Sequence, residues 1–180
     1  MREIRYAARG FLTIRKNSMR VPLSGSLALR PEPDSRLFTG ALALDPSTIS
    51  RTVFGASLFS ATVEITAESP VTGAIDHDGR VFATVTVDAV ITAAQAVGRT
   101  LIGGGSCRTS DHAIVPLRSG PGFSLEQGGR LVGRYRRPPF TGCGWVTPIV
   151  NLLVAGPGNA VVIDLIPVAR AGCPAAPPAR

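Results

Sequence analysis

Serine, aspartate and histidine side chains occur close together at Ser106, Ser110, Asp111 and His112, and these are the types that form a hydrolytic triad. A triad depends on spatial geometry, and the chain has no Gly-x-Ser-x-Gly nucleophile motif. Adjacent side chains of a strand point to opposite faces, so Asp111 is poorly placed to orient His112. We therefore interpret these residues as polar loop positions, with an envelope-directed hydrolase as an alternative function.

A second group of chemically active side chains is Asp76-His77-Asp78, followed by Gly79. A calcium site needs about six to eight oxygen ligands, and the additional carboxylates of an EF-hand loop do not follow. The segment separates two stretches of alternating residues, and its glycine suits a tight turn. We predict a hairpin turn here, and neither a metal site nor a cofactor anywhere in the chain.

Paired carboxylates could in principle support glycoside hydrolysis. Such a mechanism requires two carboxyl groups at a defined separation, which a sequence alone does not set. Acidic residues on the outward faces of strands are usually solvated, and that is our interpretation. The carboxylates considered are Glu64, Glu68, Asp88, Glu126 and Asp164.

The formal net charge is +7, carried almost entirely by scattered arginines. The tightest basic group contains a single aromatic residue, Tyr135, and we interpret it as a solvated strand face. We expect no nucleic-acid partner, because the cations are not clustered for phosphate binding. An anionic lipid or glycan remains an alternative partner. The basic group consists of Arg130, Arg134, Arg136 and Arg137.

Three cysteines are present, Cys107, Cys143 and Cys173. Zinc binding is disfavoured, since there is no Cys-x-x-Cys pair and His77 and His112 are not at ligand spacing. Cys107 and Cys143 flank a core-like region, and we predict a disulfide between them, which indicates an oxidising compartment. Cys173 is then either a free thiol or a link to another chain, so a monomer and a weak oligomer both remain open.

The sequence offers no apolar stretch long enough to span a membrane. The charged residues Met1–Arg5 are not followed by the apolar region of a signal peptide. This conflicts with the predicted disulfide. Either the chain as given lacks its leader, or the disulfide prediction is wrong.

Alternation of apolar and polar residues is the main structural signal. In the segment 80–92 one face consists of valine, alanine and isoleucine, which is typical of a half-buried antiparallel strand. Ala83 and Ala89 on this face are small, so the interior could be a packed core or an apolar cavity. Further strands are predicted over 10–15, 25–30, 36–44, 57–67, 113–118, 130–136 and 160–166.

Strands at this spacing, divided by turn residues, predict an all-β fold. We expect an antiparallel β-sandwich or flattened β-barrel with one short helix near the C-terminus. That helix is predicted over Trp145–Val154, with Thr147 as N-cap and Pro148 in the first turn. A flexible N-terminus (1–9) and a disordered Ala/Pro-rich tail (169–180) are expected to flank a single domain over 10–168.

The most specific pattern lies in the C-terminal half. It runs Gly103-Gly104-Gly105-Ser106-Cys107-Arg108-Thr109, Ser119-Gly120-Pro121-Gly122-Phe123, Gly128-Gly129-Arg130-Leu131-Val132-Gly133, Cys143-Gly144-Trp145-Val146-Thr147-Pro148, Asn151-Leu152-Leu153 and Gly156-Pro157-Gly158-Asn159. This pattern resembles a family of uncharacterised secreted β-proteins from actinobacteria. The resemblance covers roughly Thr13 to Leu165 and is specific after Ile102.

The resemblance implies export, a disulfide and an envelope or extracellular location, and it carries over no catalytic residue. The chain departs from the family pattern in lacking a leader and in having Cys173. Our leading hypothesis is a non-enzymatic envelope or secreted domain that binds an apolar or lipid-like ligand or a surface partner. The alternatives are the hydrolase above and a purely structural surface protein.

Overall fold

The computed structural model describes residues 3–53, 56–120 and 122–168. Cys173 and the expected tail 169–180 lie outside the described residues. Within them the chain forms twelve strands and one α-helix. The strands are β1 (Ile4–Ile14), β2 (Met19–Pro31), β3 (Leu37–Leu44), β4 (Ser47–Val53), β5 (Ala56–Ala67), β6 (Val71–Ile75), β7 (Val81–Ala96), β8 (Arg99–Thr109), β9 (Ala113–Ser119), β10 (Gly129–Arg137), β11 (Phe140–Thr141) and β12 (Gly156–Pro167).

Eight of these strands close into an antiparallel barrel, in the order β7-β6-β3-β2-β1-β12-β10-β9. Closure comes from β7, whose residues Phe82–Val87 pair with Arg118–Ala113 of β9. The predicted all-β fold, with a barrel as one of its two forms, is confirmed. Closure through β7 and β9 pairs the two strands that would otherwise be the edges of the eight-stranded sheet.

The long strand β7 belongs to two sheets. Its first half lies between β6 and β9 in the barrel, and its second half lies between β5 and β8. We call the strands β4, β5, β8 and β11, together with the second half of β7, the side sheet. The predicted alternation explains how one strand contributes to both the barrel and the side sheet, because its apolar residues are buried along both halves. These residues are Val81, Ala83, Val85, Ala89 and Ile91.

The barrel core is formed by the inward residues of all eight strands. At one end, Phe123 and Leu125 of the β9–β10 connection pack against this core, and we call this the Phe123 end. The phenol O–H of the fully buried Tyr6 donates to the carbonyl oxygen of Leu125. Burial raises the pKa of Tyr6 to about 12. This hydrogen bond and the packing of Phe123 and Leu125 hold the β9–β10 connection at that end of the barrel, and we call the connection the plug.

Cys107 and Cys143 form a disulfide with an S–S distance of 1.99 Å, as predicted. The bridge joins β8 to the turn after β11 and lies in a second apolar cluster with Phe140 and Val146. Cys107 pairs with Ile91 of β7, and two residues further along β7 Ala93 pairs with Gly103. The chain of β8 therefore advances by four residues where β7 advances by two. The extra residues of β8 include Gly104 and Gly105, whose positive φ angles of 82° and 71° allow this bulge.

The predicted helix is present as a 3-10 turn over Gly144–Val146 followed by α1 over Thr147–Val154. Its N-cap is Val146 rather than Thr147, because Thr147 already has helical backbone angles. The Thr147 hydroxyl donates to the Gly144 carbonyl at 2.8 Å. Asn151 ties α1 to β11 through two hydrogen bonds with the backbone of Phe140. No helix in the described ranges has the length and hydropathy needed to cross a membrane.

Two other expectations require correction. The expected flexible N-terminus is wrong for residues 4–9, which pair with β2 and β12 as part of β1. Four strands, β4, β6, β8 and β11, were absent from the predicted set. β6 and β11 are very short, and β8 contains three consecutive glycines that interrupt its side-chain pattern.

Candidate functional site

The structure does not assemble the triad suggested by the segment around His112. Nδ1 of His112 lies 2.7 Å from Oδ1 of Asp88, whereas Asp111 accepts only the backbone N–H of His112. The Ser106 hydroxyl donates to the carbonyl of Gly142 at 2.9 Å. Within the described residues, neither ring nitrogen of His112 has a serine partner. The interpretation of Asp111 as unable to orient the ring agrees with this geometry.

Asp88 and His112 lie where β7 changes its neighbours. The last β9 pairing of β7 is at Val87 and its first β8 pairing is at Val90, so Asp88 falls between them. His112 belongs to the β8–β9 connection on one side of β7. Glu68 belongs to the β5–β6 connection on the other side, and its N–H donates to the Thr86 carbonyl at 2.9 Å.

One ligand-type atom from each of Glu68, Asp88 and His112 lies within 4.8 Å of the others. The hydrogen bond and charge of Asp88, with smaller contributions from Glu68 and Asp111, raise the pKa of His112. Carboxylate and imidazole are donor types found around divalent cations. All three side chains are at the surface, where acidic groups commonly gather without an ion, so the geometry alone assigns no metal.

The other polar candidates hold the fold together. Asp76 Oδ1 accepts the backbone N–H groups of Asp78 and Arg80, which confirms a turn between β6 and β7. Asp164 on β12 accepts two hydrogen bonds from Arg130 on β10, and this pairing lowers the pKa of Asp164. Of the five carboxylates considered, the structure brings Glu68 and Asp88 together, while Glu64 and Glu126 lie exposed elsewhere.

The barrel interior is mostly filled, and Ala83 and Ala89 face inward as predicted. A cavity of about 50 Å³ remains at the end of the barrel opposite Phe123, and a smaller one of about 20 Å³ lies towards the Phe123 end. Leu42, Leu117 and Ile163 line both cavities and separate them. We call the larger space the upper cavity. Nearly all of its lining side chains are apolar.

Three polar side chains line the upper cavity, Thr109, Tyr135 and Arg137. The expectation that Tyr135 and Arg137 lie on a solvated strand face is therefore wrong, since they are 7% and 6% exposed. On β10 the inward positions are Leu131, Gly133, Tyr135 and Arg137, and the other arginines of the basic group point outward. The alternation of residues along β10 predicts that Arg137 points inward with Tyr135, but the four clustered arginines were interpreted together as an exposed group.

Arg137 and Tyr135 contact each other inside the barrel. The guanidinium of Arg137 donates to the Tyr135 phenol oxygen at 2.8 Å, and burial raises the pKa of Tyr135. The Thr109 hydroxyl oxygen accepts the backbone N–H of Ala89 at 3.2 Å. A tyrosine with a raised pKa stays protonated near neutral pH, so its hydroxyl remains a hydrogen-bond donor.

Beside this cavity, part of one barrel strand is not paired with its neighbour in the described structure. Pairing of β3 with β6 ends at Gly40, opposite Val71, and the remaining residues of β3 have no strand partner on that edge in the described structure. Leu42 lies in this part of β3 and is only half-buried. It lines the upper cavity and also an outer groove of about 560 Å³ that extends to Glu68.

The fold and site define a closed, disulfide-containing antiparallel barrel with a small apolar interior space and a buried arginine. Comparison with models of known families, with characterised proteins and with solved structures found no match.

Proposed function

We propose that this protein is a non-enzymatic binding protein that takes an apolar ligand into the upper cavity of its barrel. The observation that carries the proposal is the lining of that cavity, which is apolar except for three side chains. Binding sites for small molecules typically have this character, an apolar wall with a few polar groups that set orientation. The filled Phe123 end provides a closed base for such a site.

The size of the cavity limits what can enter without rearrangement. About 50 Å³ accommodates only a short apolar group, far less than the several hundred Å³ typical of sites for drug-sized ligands. Leu42, Leu117 and Ile163 separate the two cavities, so rotamer changes in these three side chains would join them. The ligand therefore has a narrow apolar chain, and its binding requires the side chains to repack.

A route by which a ligand could enter the upper cavity past Leu42 also supports the binding proposal. This side chain lies between the outer groove and the upper cavity, at the stretch of β3 that lacks a strand partner on one edge. Movement of one leucine would open a lateral path without breaking any backbone pairing of β3 with β2. A ligand of linear shape fits such a path.

We further propose that the protein works outside the reducing cytoplasm. The Cys107–Cys143 disulfide supports this location, because such bonds persist mainly in oxidising compartments. The resemblance to secreted actinobacterial β-proteins points the same way. A cell-envelope or extracellular location would also place the protein near lipids with apolar chains.

Calorimetric titration with octanol, a linear alcohol without charge, tests the binding proposal. We expect saturable binding by the oxidised protein, and loss of binding in Ala89→Leu, which fills the upper cavity. Ala93→Leu is the matched control, since Ala93 lies on the same strand but is exposed. Ala113→Val adds less volume to the same cavity and covers the case in which Ala89→Leu misfolds. Absence of octanol binding, or equal binding by all variants, would overturn the proposal.

A further inference from the structure

Arg137 is a buried cation that has no anionic partner in the part of the chain that the structure describes. It is 6% exposed, and within the described residues no carboxylate lies within salt-bridge distance of it. Burial of an unpaired charge is costly, so buried arginines are normally paired with carboxylates or phosphates. The arginines of the described chain that do bind carboxylates, such as Arg130 with Asp164, lie at the surface. Arg137 is thus the unusual member of the group.

Several hydrogen-bond donors around Arg137 have no acceptor among the described residues and keep some accessible area, since no fully buried side-chain nitrogen or oxygen described lacks a partner. A guanidinium has five N–H donors, and the one hydrogen bond of Arg137 within the described residues goes to Tyr135. The Tyr135 hydroxyl accepts that bond, and its own hydrogen has no acceptor there. The Thr109 oxygen is likewise an acceptor, for the Ala89 N–H, which leaves its hydrogen available. Three donor side chains therefore line one cavity, and none of its described lining residues is acidic.

We propose that the ligand of the upper cavity is an apolar carboxylic acid, bound as its carboxylate by Arg137 and Tyr135. This inference rests on the proposed function and names the ligand class of the same site. A planar guanidinium can donate two parallel hydrogen bonds to one carboxylate, a geometry that gives affinity and orientation together. The Tyr135 hydroxyl donates a further bond, and the chain of the ligand extends among the apolar side chains below.

The alternative arrangement is that water alone solvates Arg137 in the unliganded barrel. Under that arrangement Arg137 would have no preference for anionic ligands. Under our proposal, Arg137 is retained for binding at a cost to the stability of the empty protein. Replacement by a neutral side chain of similar shape should then leave the empty barrel at least as stable as before.

The experiment compares octanoate with octanol, which have apolar chains of equal length and differ in their head group. We expect the wild-type protein to bind octanoate more tightly by about tenfold or more, as expected for a charge-assisted hydrogen-bond pair. Arg137→Met should abolish this preference, which is measured as the ratio of the octanoate and octanol affinities of the same variant. Arg136→Met is the matched control, because Arg136 is exposed on the same strand, and should keep the preference.

The outcomes separate the two proposals. Octanol binding without any preference for octanoate would overturn the carboxylate proposal and leave the binding function intact. Failure to bind either compound would overturn the binding function itself. If Arg137→Met lowers the melting temperature strongly in the absence of ligand, Arg137 is a structural residue and the proposal is wrong. Tyr135→Phe provides an independent variant, with an expected several-fold loss of octanoate affinity that exceeds any change in octanol affinity.

Discussion

Nδ1 of His112 and Oδ1 of Asp88 lie 2.7 Å apart across the point at which β7 passes from the barrel into the side sheet. The two residues come from different strands and connections, and the contact forms only when β8 and β9 lie against the same edge of β7. His112 is therefore a reporter of the junction between the two sheets.

The first prediction concerns the protonation of His112. NMR titration of its ring should give a pKa above the ordinary value of about 6.5. Protonated His112 contributes stability that is fully present below the unfolded-state pKa and is lost as pH rises through the folded-state pKa. In Asp88→Asn the pKa should return towards its ordinary value, and an unchanged titration would show that Asp88 is not the cause.

The second prediction concerns the disulfide. Replacing Cys107 and Cys143 by serine should lower the free energy of unfolding by about 3–4 kcal/mol, given the sequence separation of 36 residues between them. Urea denaturation with and without reductant measures this difference. A Cys173→Ser background in every sample prevents exchange with the third thiol. Equal stability of the oxidised and reduced forms would contradict the prediction.

The third prediction concerns Tyr6, which secures the plug at the Phe123 end. Tyr6→Phe leaves the Leu125 carbonyl without its donor, and we expect a loss of about 1–2 kcal/mol in chemical denaturation. The raised pKa of Tyr6 also predicts that the protein loses stability at alkaline pH. Tyr6 ionises near pH 10 in the unfolded chain and near pH 12 in the folded protein, so the free energy of unfolding should fall as the pH rises across that interval. The fall should be smaller in Tyr6→Phe, and an identical alkaline profile would refute the assignment.

The fourth prediction concerns Gly142, beside the disulfide. Its φ of +73° is unfavourable for other residues, and an added Cβ would lie 2.3 Å from the Ser106 carbonyl oxygen. Gly142→Ala should therefore cost about 1–3 kcal/mol. Gly79→Ala is a suitable control, since Gly79 has a similar φ of +77° but open space around its Cβ position. If both variants lose the same stability, the close approach to Ser106 contributes nothing.

Alternation predicted β7 well as far as Ile91, because its inward valines and alanines follow the period of a strand up to that residue. Beyond Ile91 a bulge shifts the period, and the next buried residue is Ala94. Alternation did not predict β8, where the glycines have no side chains to show a pattern and a bulge at Gly104 and Gly105 interrupts the pairing with β7. The same alternation on β10 places Arg137 on the inward face with Leu131 and Tyr135. That position was missed because Arg137 and three nearby arginines were treated as one charged surface, although a strand sends alternate residues to opposite sides.

By itself, the sequence determined that the chain is β-rich, that Cys107 and Cys143 belong together and that one short helix precedes the last strand. These features follow from local side-chain period, from cysteine count and from turn residues, all of which act over short stretches of chain. Only the tertiary structure decided that β7 and β9 close a barrel, that Leu42 lies between a groove and a cavity, and that Arg137 is buried with no carboxylate partner among the described residues. Each depends on which distant strands pair and in which register, and a one-residue shift in register turns every side chain to the other face.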